Sequence, residues 1–266
     1  MARPWFSTSK QEHGALAFVI IGVRMLLLTV WFFLSCIIGC VLCIFKWRSP
    51  DLPQLVCSFY SPVSAWLAGM RLVQRDWHHT KVADDAAIYV ANHQTFLDLS
   101  FFGQNMPNRV VCTAKRELAW VPFFGLFWYA SGNIFIDRQR RDSAVKSLDA
   151  GTDRLKRKEC SIFVFSEGTR NHANPLKLLP FKKGFAHMAV QSGRPIVPIV
   201  ASVHETLVDP AKGLWRGGVV VVKALPPIDV TGKTTADVDE IVKSTYDLMQ
   251  KALDEVNAEA RQLNSL

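Results

Sequence analysis

The side chains here best suited to proton transfer near neutral pH are the seven histidines, and three of them are followed five positions later by an aspartate. The pairs are His79 with Asp84, His93 with Asp98, and His204 with Asp209. A carboxylate bonded to one imidazole nitrogen fixes the tautomer and leaves the other nitrogen free to take a proton from a hydroxyl. Five positions along a regular helix turn through about 500°, which sets the two side chains roughly 140° apart, so such a pair works only where a loop bends it together. His93 comes straight after the apolar run 86–91 and before the apolar run 96–102. That is the strand-end position at which α/β folds gather functional residues. Asp98 would then sit in the first turn of the next helix. His79/Asp84 lies in a polar connector and His204/Asp209 in a loop before Pro210, and both read as surface pairs. His93 and Asp98 are the candidate acid–base dyad, with a structural strand-end histidine as the alternative on spacing alone.

Other chemistries have less support. There is no Gly-x-Ser-x-Gly segment to supply a serine nucleophile. Cys112 falls in an expected strand. Cys40 and Cys43 have the Cys-x-x-Cys form, but they lie in an apolar run that offers no polar partners for a metal. No metal constellation is expected. The six cysteines suggest buried free thiols and a reducing compartment rather than a disulfide framework.

The elements that must position the dyad follow a clear rhythm. Short β-rich runs at 86–91, 109–113, 133–137, 161–165, 196–201 and 218–223 alternate with helical runs near 96–104, 121–130, 142–158 and 182–192, and a long amphipathic, acidic segment at 237–261 closes the chain. Such alternation predicts an α/β domain whose mostly parallel sheet is flanked by helices. Ahead of it, residues 25–45 form 21 positions without a charge, which fits the roughly 20 needed to cross hydrocarbon as a helix. Residues 14–23 are also apolar and could extend that helix. Lys46, Trp47 and Arg48 form an interfacial anchor, and the prolines at 50 and 53 break the run. A second apolar stretch, 55–73, carries Pro62 and Gly69 and reads as a re-entrant or interfacial helix. The expected organisation is an N-terminal membrane helix or helical hairpin at 1–75 and the α/β domain at 76–266.

Four ordered sequence blocks then connect the dyad to a family. Asn92-His93-Gln94-Thr95-Phe96-Leu97-Asp98 resembles the NHxxxxD block of the glycerolipid acyltransferases. Gly132-Asn133-Ile134-Phe135-Ile136-Asp137-Arg138 resembles their second block, Phe165-Ser166-Glu167-Gly168-Thr169-Arg170 the third, and Ile196-Val197-Pro198-Ile199 the fourth. The resemblance covers about residues 75 to 225 and is strongest to the members that acylate lysophosphatidic acid. It implies attack of a glycerol hydroxyl, a poor nucleophile until a base removes its proton, on an acyl thioester, with His93 as that base and Asp98 orienting it. It implies that Arg138 and Arg170 hold the phosphate of the acceptor, because arginine's planar fork suits phosphate oxygens. Glu167 would orient one of those arginines or a ligand hydroxyl, and Gly168 would permit a tight turn that exposes amides to the anion. Lys183, before a helix, and Lys115, after the second strand, are further candidates for the phosphate or the developing oxyanion, with solvated roles as the alternative.

The implied product is phosphatidic acid, formed by acylating the free sn-2 hydroxyl of 1-acyl-glycerol 3-phosphate. The donor is an acyl-CoA or an acyl-carrier protein, with no further cofactor. Another lysophospholipid, glycerol 3-phosphate or an amino-acid-based lipid is an alternative acceptor, and a non-enzymatic membrane-surface adaptor is the alternative to an enzyme. Composition agrees with a lipid-facing protein. Hydrophobic residues make up 49% and charged residues 20%, which excludes a disordered chain. The net charge of +8 sits upstream, since residues 229–266 hold eight acids and four bases. With the apolar N-terminus, a basic body favours an anionic bilayer or phosphorylated substrates over nucleic acid. The expected location is the cytoplasmic side of a bacterial inner membrane or the endoplasmic reticulum. Residues 120–129, rich in aromatics, are expected to line an acyl slot or rest on the bilayer, unless they serve packing alone.

Overall fold

The computed structural model describes residues 8–9, 14–82, 86–104, 106–137, 139–171, 176–204 and 207–265. The chain opens with two antiparallel helices, α1 (Ala15–Phe45) and α2 (Asp51–Leu67). The extension of the apolar run back to residue 15 gives α1 its 31 residues. At the prolines the chain reverses, and the hairpin is pinned by a bond from the Trp31 indole N–H to the Tyr60 carbonyl at 3.0 Å.

The second apolar stretch divides in two. Its first part is α2, and its end becomes strand β1 (Met70–Arg75), after Gly69 turns with φ +68°. Strands β2 (Ile88–Ala91), β3 (Val110–Lys115), β4 (Ile134–Ile136), β5 (Ser161–Phe165), β6 (Ile196–Ala201) and β7 (Gly218–Ala224) complete one sheet. Its order is β1-β7-β6-β2-β5-β3-β4. Only the β7/β6 pairing is antiparallel. The sheet therefore takes in residues 70–75, which lie ahead of the division expected at residue 76.

All four residues of β2 and all six of β6 are buried. Central parallel strands covered on both faces have no solvent side, so they read as continuous apolar runs, which is why they stand out in the sequence. One face carries α5 (Arg141–Lys156), α6 (Gly184–Ser192) and α7 (Val238–Ser265), whose Leu155, Phe185, Met188, Met249 and Leu253 pack on Ile88, Ile162 and Val221. The other face carries α1, α2 and the short helices α3 (Asp98–Phe102) and α4 (Phe124–Ala130). There Ile21, Leu28, Phe101, Phe124 and Trp128 meet Tyr89, Cys112 and Val220. In α7 the buried positions Ile241, Thr245, Met249, Ala252, Leu253, Val256 and Ala260 recur at helical spacing, with charged residues opposite.

Helix α1 packs on the body along its length. Ala17, Ile21, Leu28, Cys36, Gly39 and Cys43 form a buried stripe, while Leu16, Val19, Leu26, Val30, Val41 and Phe45 are exposed. At Gly39 the approach is so close that an added Cβ would meet the Phe127 ring at 2.5 Å. Helix α4 is apolar on both sides. Phe124, Phe127 and Trp128 are buried, and Leu126, Tyr129 and the preceding Trp120 and Phe123 are exposed.

Candidate active site

The loop between β2 and α3 holds the dyad, and its side chains alternate in direction as a continued strand would. Asn92 and Gln94 are clamped to the end of β6. The Asn92 carboxamide accepts from the Ala201 amide at 2.9 Å and donates to the Ala201 carbonyl at 3.0 Å, so it stands in for the next rung of the ladder. Gln94 donates to the carbonyls of Ala201 and Ser202 and accepts from the His204 amide. His93 lies between them and meets β5 instead. Its ring stacks on Phe165 with centroids 4.0 Å apart and 16° between planes.

The turn after β5 wraps over this segment. The Ser166 amide donates to the Ala91 carbonyl, Glu167 Oε1 accepts the His93 amide at 2.8 Å, and the Asn171 amide donates to the His93 carbonyl at 3.1 Å. The His93 amide is thus satisfied from within the third sequence block and its carbonyl by the residue just after that block. Glu167 Oε2 accepts the Leu179 amide at 2.8 Å, so among the described residues this buried carboxylate serves two backbone amides. Burial raises its proton affinity above the ordinary carboxylate value, and the two amide bonds offset only part of that rise. Gly168 takes φ +70°, and its amide closes the turn onto the Phe165 carbonyl instead of being presented to an anion.

The histidine and aspartate meet. His93 Nδ1 is 2.6 Å from Asp98 Oδ2, and the same oxygen accepts the Gln94 amide at 2.8 Å. Among the described residues, Nε2 of His93 has no protein partner, and the side chain is 19% exposed, enough for a substrate hydroxyl to reach it. Asp98 itself is buried at the first position of α3. Burial works against its ionisation, but bonds from His204 and His93 and their attraction overcome it and hold the carboxyl well below its usual range.

His204 is where the sequence reading fails. It is not a surface residue paired with Asp209. The imidazole is fully buried, with Nε2 2.9 Å from Asp98 Oδ1, while Asp209 pairs with Lys212 at 2.7 Å. One carboxylate therefore lies between two imidazoles that are 111 positions apart in the chain, 93 and 204. The spacing of His204 from Asp209 carries no structural meaning, and no local pattern points to its true partner. His79 is described, but Asp84 lies outside the described residues.

Two cavities flank the turn after β5. One, of about 290 Å³, is an apolar groove between the hairpin and α4, lined by Leu28, Thr29, Phe32, Phe96, Leu97, Leu118, Val121 and Phe124, with Arg170 as its one cation. The other, of about 770 Å³, opens on the far side and is lined by Ile136, Gln139, Phe165, Glu167, Gly168, Thr169 and Lys182. Arg170 is exposed and makes no ion pair among the described residues. Arg138 lies outside the described residues, although Ile136 and Gln139 on either side of it line the larger cavity.

The two lysines are turned to other partners. Lys115 pairs with Glu117 at 3.1 Å, and Lys183 pairs with Asp239 of α7 at 2.6 Å. Lys182, the neighbour that the sequence reading passed over, faces the larger cavity. Cys112 is buried in β3, and burial pushes its thiol well above the ordinary value, which leaves it a poor nucleophile.

Residues 73–202 match the family model described as Acyltransferase. A Haemophilus influenzae protein named 1-acyl-sn-glycerol-3-phosphate acyltransferase is 31% identical over 237 residues, which is 89% of this chain and 96% of that one. The chain belongs to the glycerolipid acyltransferase family. A Saccharomyces cerevisiae acyltransferase of the same name is 39% identical over 169 residues, and the match spans 64% of this chain and 56% of the yeast protein. The crystal structure of a Thermotoga maritima 1-acyl-sn-glycerophosphate acyltransferase shares the fold, with a TM-score of 0.69 at 22% identity, over 89% of this chain and 98% of that one. Within the acyltransferase match fall the dyad, the turn after β5 and the fourth block. His204 lies two residues beyond it.

Proposed function

We propose that this acyltransferase moves a fatty acyl group from a thioester to the sn-2 hydroxyl of 1-acyl-glycerol 3-phosphate, giving phosphatidic acid. The observation that carries the reading is an imidazole held at Nδ1 by a buried carboxylate, with Nε2 left for substrate, beside an apolar groove that bears an arginine. His93 Nε2 takes the hydroxyl proton as the alkoxide oxygen bonds to the thioester carbonyl carbon. The tetrahedral intermediate then expels the thiolate, which takes the proton back from the imidazolium. No acyl-enzyme forms, and the thioester is the only co-substrate. Acyl-CoA and acyl-carrier protein both supply such a group.

Arg170, with Arg138, holds the acceptor phosphate while an acyl chain lies in the groove. The acceptor and the diacyl product favour lipid over water by about 0.8 kcal/mol per buried methylene, which suits an enzyme seated at a bilayer. The apolar surfaces support a seat at a membrane. The outer face of α1 and the exposed Trp47, Trp66 and Trp120 rest in lipid, and the α/β domain meets the bilayer from the cytoplasmic side. The hairpin of α1 and α2 serves as the anchor.

The test is acyl transfer from a labelled thioester to lysophosphatidic acid by the full-length protein in mixed micelles, with the position of the new ester determined. His93→Ala should lower turnover by about 10²–10⁴-fold, the usual contribution of a general base. A non-phosphorylated acceptor that outcompetes lysophosphatidic acid, or a His93→Ala protein that keeps its rate, would sink the proposal.

A further inference from the structure

We propose that His204 is a positioning residue of this site, a buried imidazolium that shares Asp98 with His93 and so keeps His93 in its proton-accepting form. The premise is geometric, and the consequence for turnover rests on the acyl-transfer reading above. His204 Nδ1 lies 3.1 Å from the Ser202 carbonyl oxygen. A carbonyl only accepts, so the hydrogen is on Nδ1. Nε2 lies 2.9 Å from Asp98 Oδ1, which also only accepts while ionised. A neutral ring would point the Nε2 lone pair at a carboxylate oxygen in a pocket closed to water. A ring protonated at both nitrogens turns the same contact into a charge-assisted bond.

The surroundings favour the second arrangement. Thr95 Oγ1 sits 2.9 Å from Nε2 and accepts the Leu97 amide at 3.1 Å, which leaves a second lone pair for an Nε2 hydrogen and a hydroxyl hydrogen for a bare Nε2, so this contact fits either state and the carboxylate decides. Phe101 closes the ring off edge to face at 4.8 Å. Asp98 stays ionised in spite of its burial, largely through bonds from His204 and then His93. With His204 cationic, each carboxylate oxygen holds one imidazole and one backbone amide, from Gln94 on Oδ2 and from Thr95 on Oδ1.

The effect on His93 follows from charge. A lone buried carboxylate beside His93 would draw a proton onto that ring and keep it there, which disables a base. A cation on the opposite oxygen cancels most of that pull while leaving intact the bond that orients Nδ1. The ionisable groups that face this cluster, among the described residues, are Asp98 from α3, Glu167 from the turn after β5 and His204 after β6, with Tyr246 of α7 interacting in turn with Glu167. Glu167 touches the His93 amide and, when ionised, adds to the pull that His204 opposes.

Two measurements on the full-length enzyme test this. His204→Gln keeps a donor toward Asp98 without the charge. In the folded variant the acid limb of the kcat profile should move to higher pH by about one unit, with KM for lysophosphatidic acid within about twofold of wild type. A loss of kcat equal at every pH, which a packing role alone would give, overturns the proposal. The second measurement needs no substrate and no variant that turns over. In 15N-histidine NMR of the wild-type protein, the resonances absent from His204→Gln should show both ring nitrogens protonated near neutral pH. A single unprotonated nitrogen there overturns the premise. Because this readout is independent of activity, a protein that fails to acylate lysophosphatidic acid would refute the substrate reading and leave the state of His204 decided.

Discussion

Replacing Asp98 with asparagine removes one charge and one acceptor while keeping the shape of the side chain. The carboxylate is 2% exposed and is reached by four donors: His93 Nδ1 at 2.6 Å, the Gln94 amide at 2.8 Å, His204 Nε2 at 2.9 Å and the Thr95 amide at 3.2 Å. A carboxamide has one oxygen, so its NH2 must face one of the two donor pairs. The less damaging rotamer keeps the oxygen toward His93 and Gln94. Even then the bond to His93 falls from a charge-assisted one, worth about 1.5–3 kcal/mol, to a neutral one worth about 1 kcal/mol, and His204 Nε2 and the Thr95 amide both lose their acceptor on this side chain, at about 1–3 kcal/mol each. The imidazolium formed in the transition state feels the lost charge most. A penalty of about 2–4 kcal/mol there lowers kcat by about 30- to 1000-fold. Neither substrate touches Asp98 in this mechanism, so both KM values should stay within about threefold. The assay is the initial rate of acyl transfer in mixed micelles at saturating acceptor, alongside thermal unfolding to show that the variant is folded. A folded Asp98→Asn protein with kcat within threefold of wild type would refute the reasoning, because it would mean that His93 works without its anionic partner.

Three further outcomes are expected. Arg170→Ala should raise KM for lysophosphatidic acid at least tenfold with a smaller change in kcat, and Arg138→Ala should do the same; unchanged acceptor affinity in both would remove them from the phosphate site. Thr29→Trp or Leu118→Trp narrows the apolar groove, so the preferred acyl chain should shorten in a competition between thioesters or acceptors of different length, and an unaltered preference would place the chain elsewhere. Glu167 gives a pH effect with a defined sign. Burial raises its folded-state value, so its protonation favours the fold: that contribution is whole below the unfolded carboxylate value and is lost as pH rises through the raised folded value. Glu167→Gln should therefore flatten the dependence of melting temperature on pH across that window, and a slope identical to wild type would contradict the assignment.

Much of the architecture could be read before any coordinates because the central strands are buried on both faces. Runs such as 88–91 and 196–201 have no polar side to disguise them, and β5 is found at its expected bounds. The hairpin was legible for the opposite reason, an absence of charge over a length that only lipid or a deep core tolerates. Strand β1 was not, since Met70–Arg75 continues an apolar stretch and carries three polar residues along an edge of the sheet. The dyad was legible because both members lie within one short stretch, 93–98, that follows β2 and opens α3. His204 was not, because its partner is set by where β6 ends beside β2, a matter of strand order and not of spacing. The lysines illustrate a third limit. Adjacent residues at 182 and 183 point to a cavity and to α7 respectively, and only the start of α6 decides which does which.

The stripe of α1 that runs from Ala17 to Cys43 against the body has a practical consequence for anyone wishing to simplify the enzyme. Leu28 and Phe32 belong at once to the anchor and to the groove, and Gly39 seats the Phe127 ring. Trimming the first fifty residues would not release a water-soluble catalyst. It would strip a side from the apolar groove and leave Phe124, Phe127 and Trp128 bare, so that the trimmed protein clumps before it turns over. Depth in the bilayer and alignment of the reacting groups are thereby welded into one rigid adjustment, which neither can escape without the other.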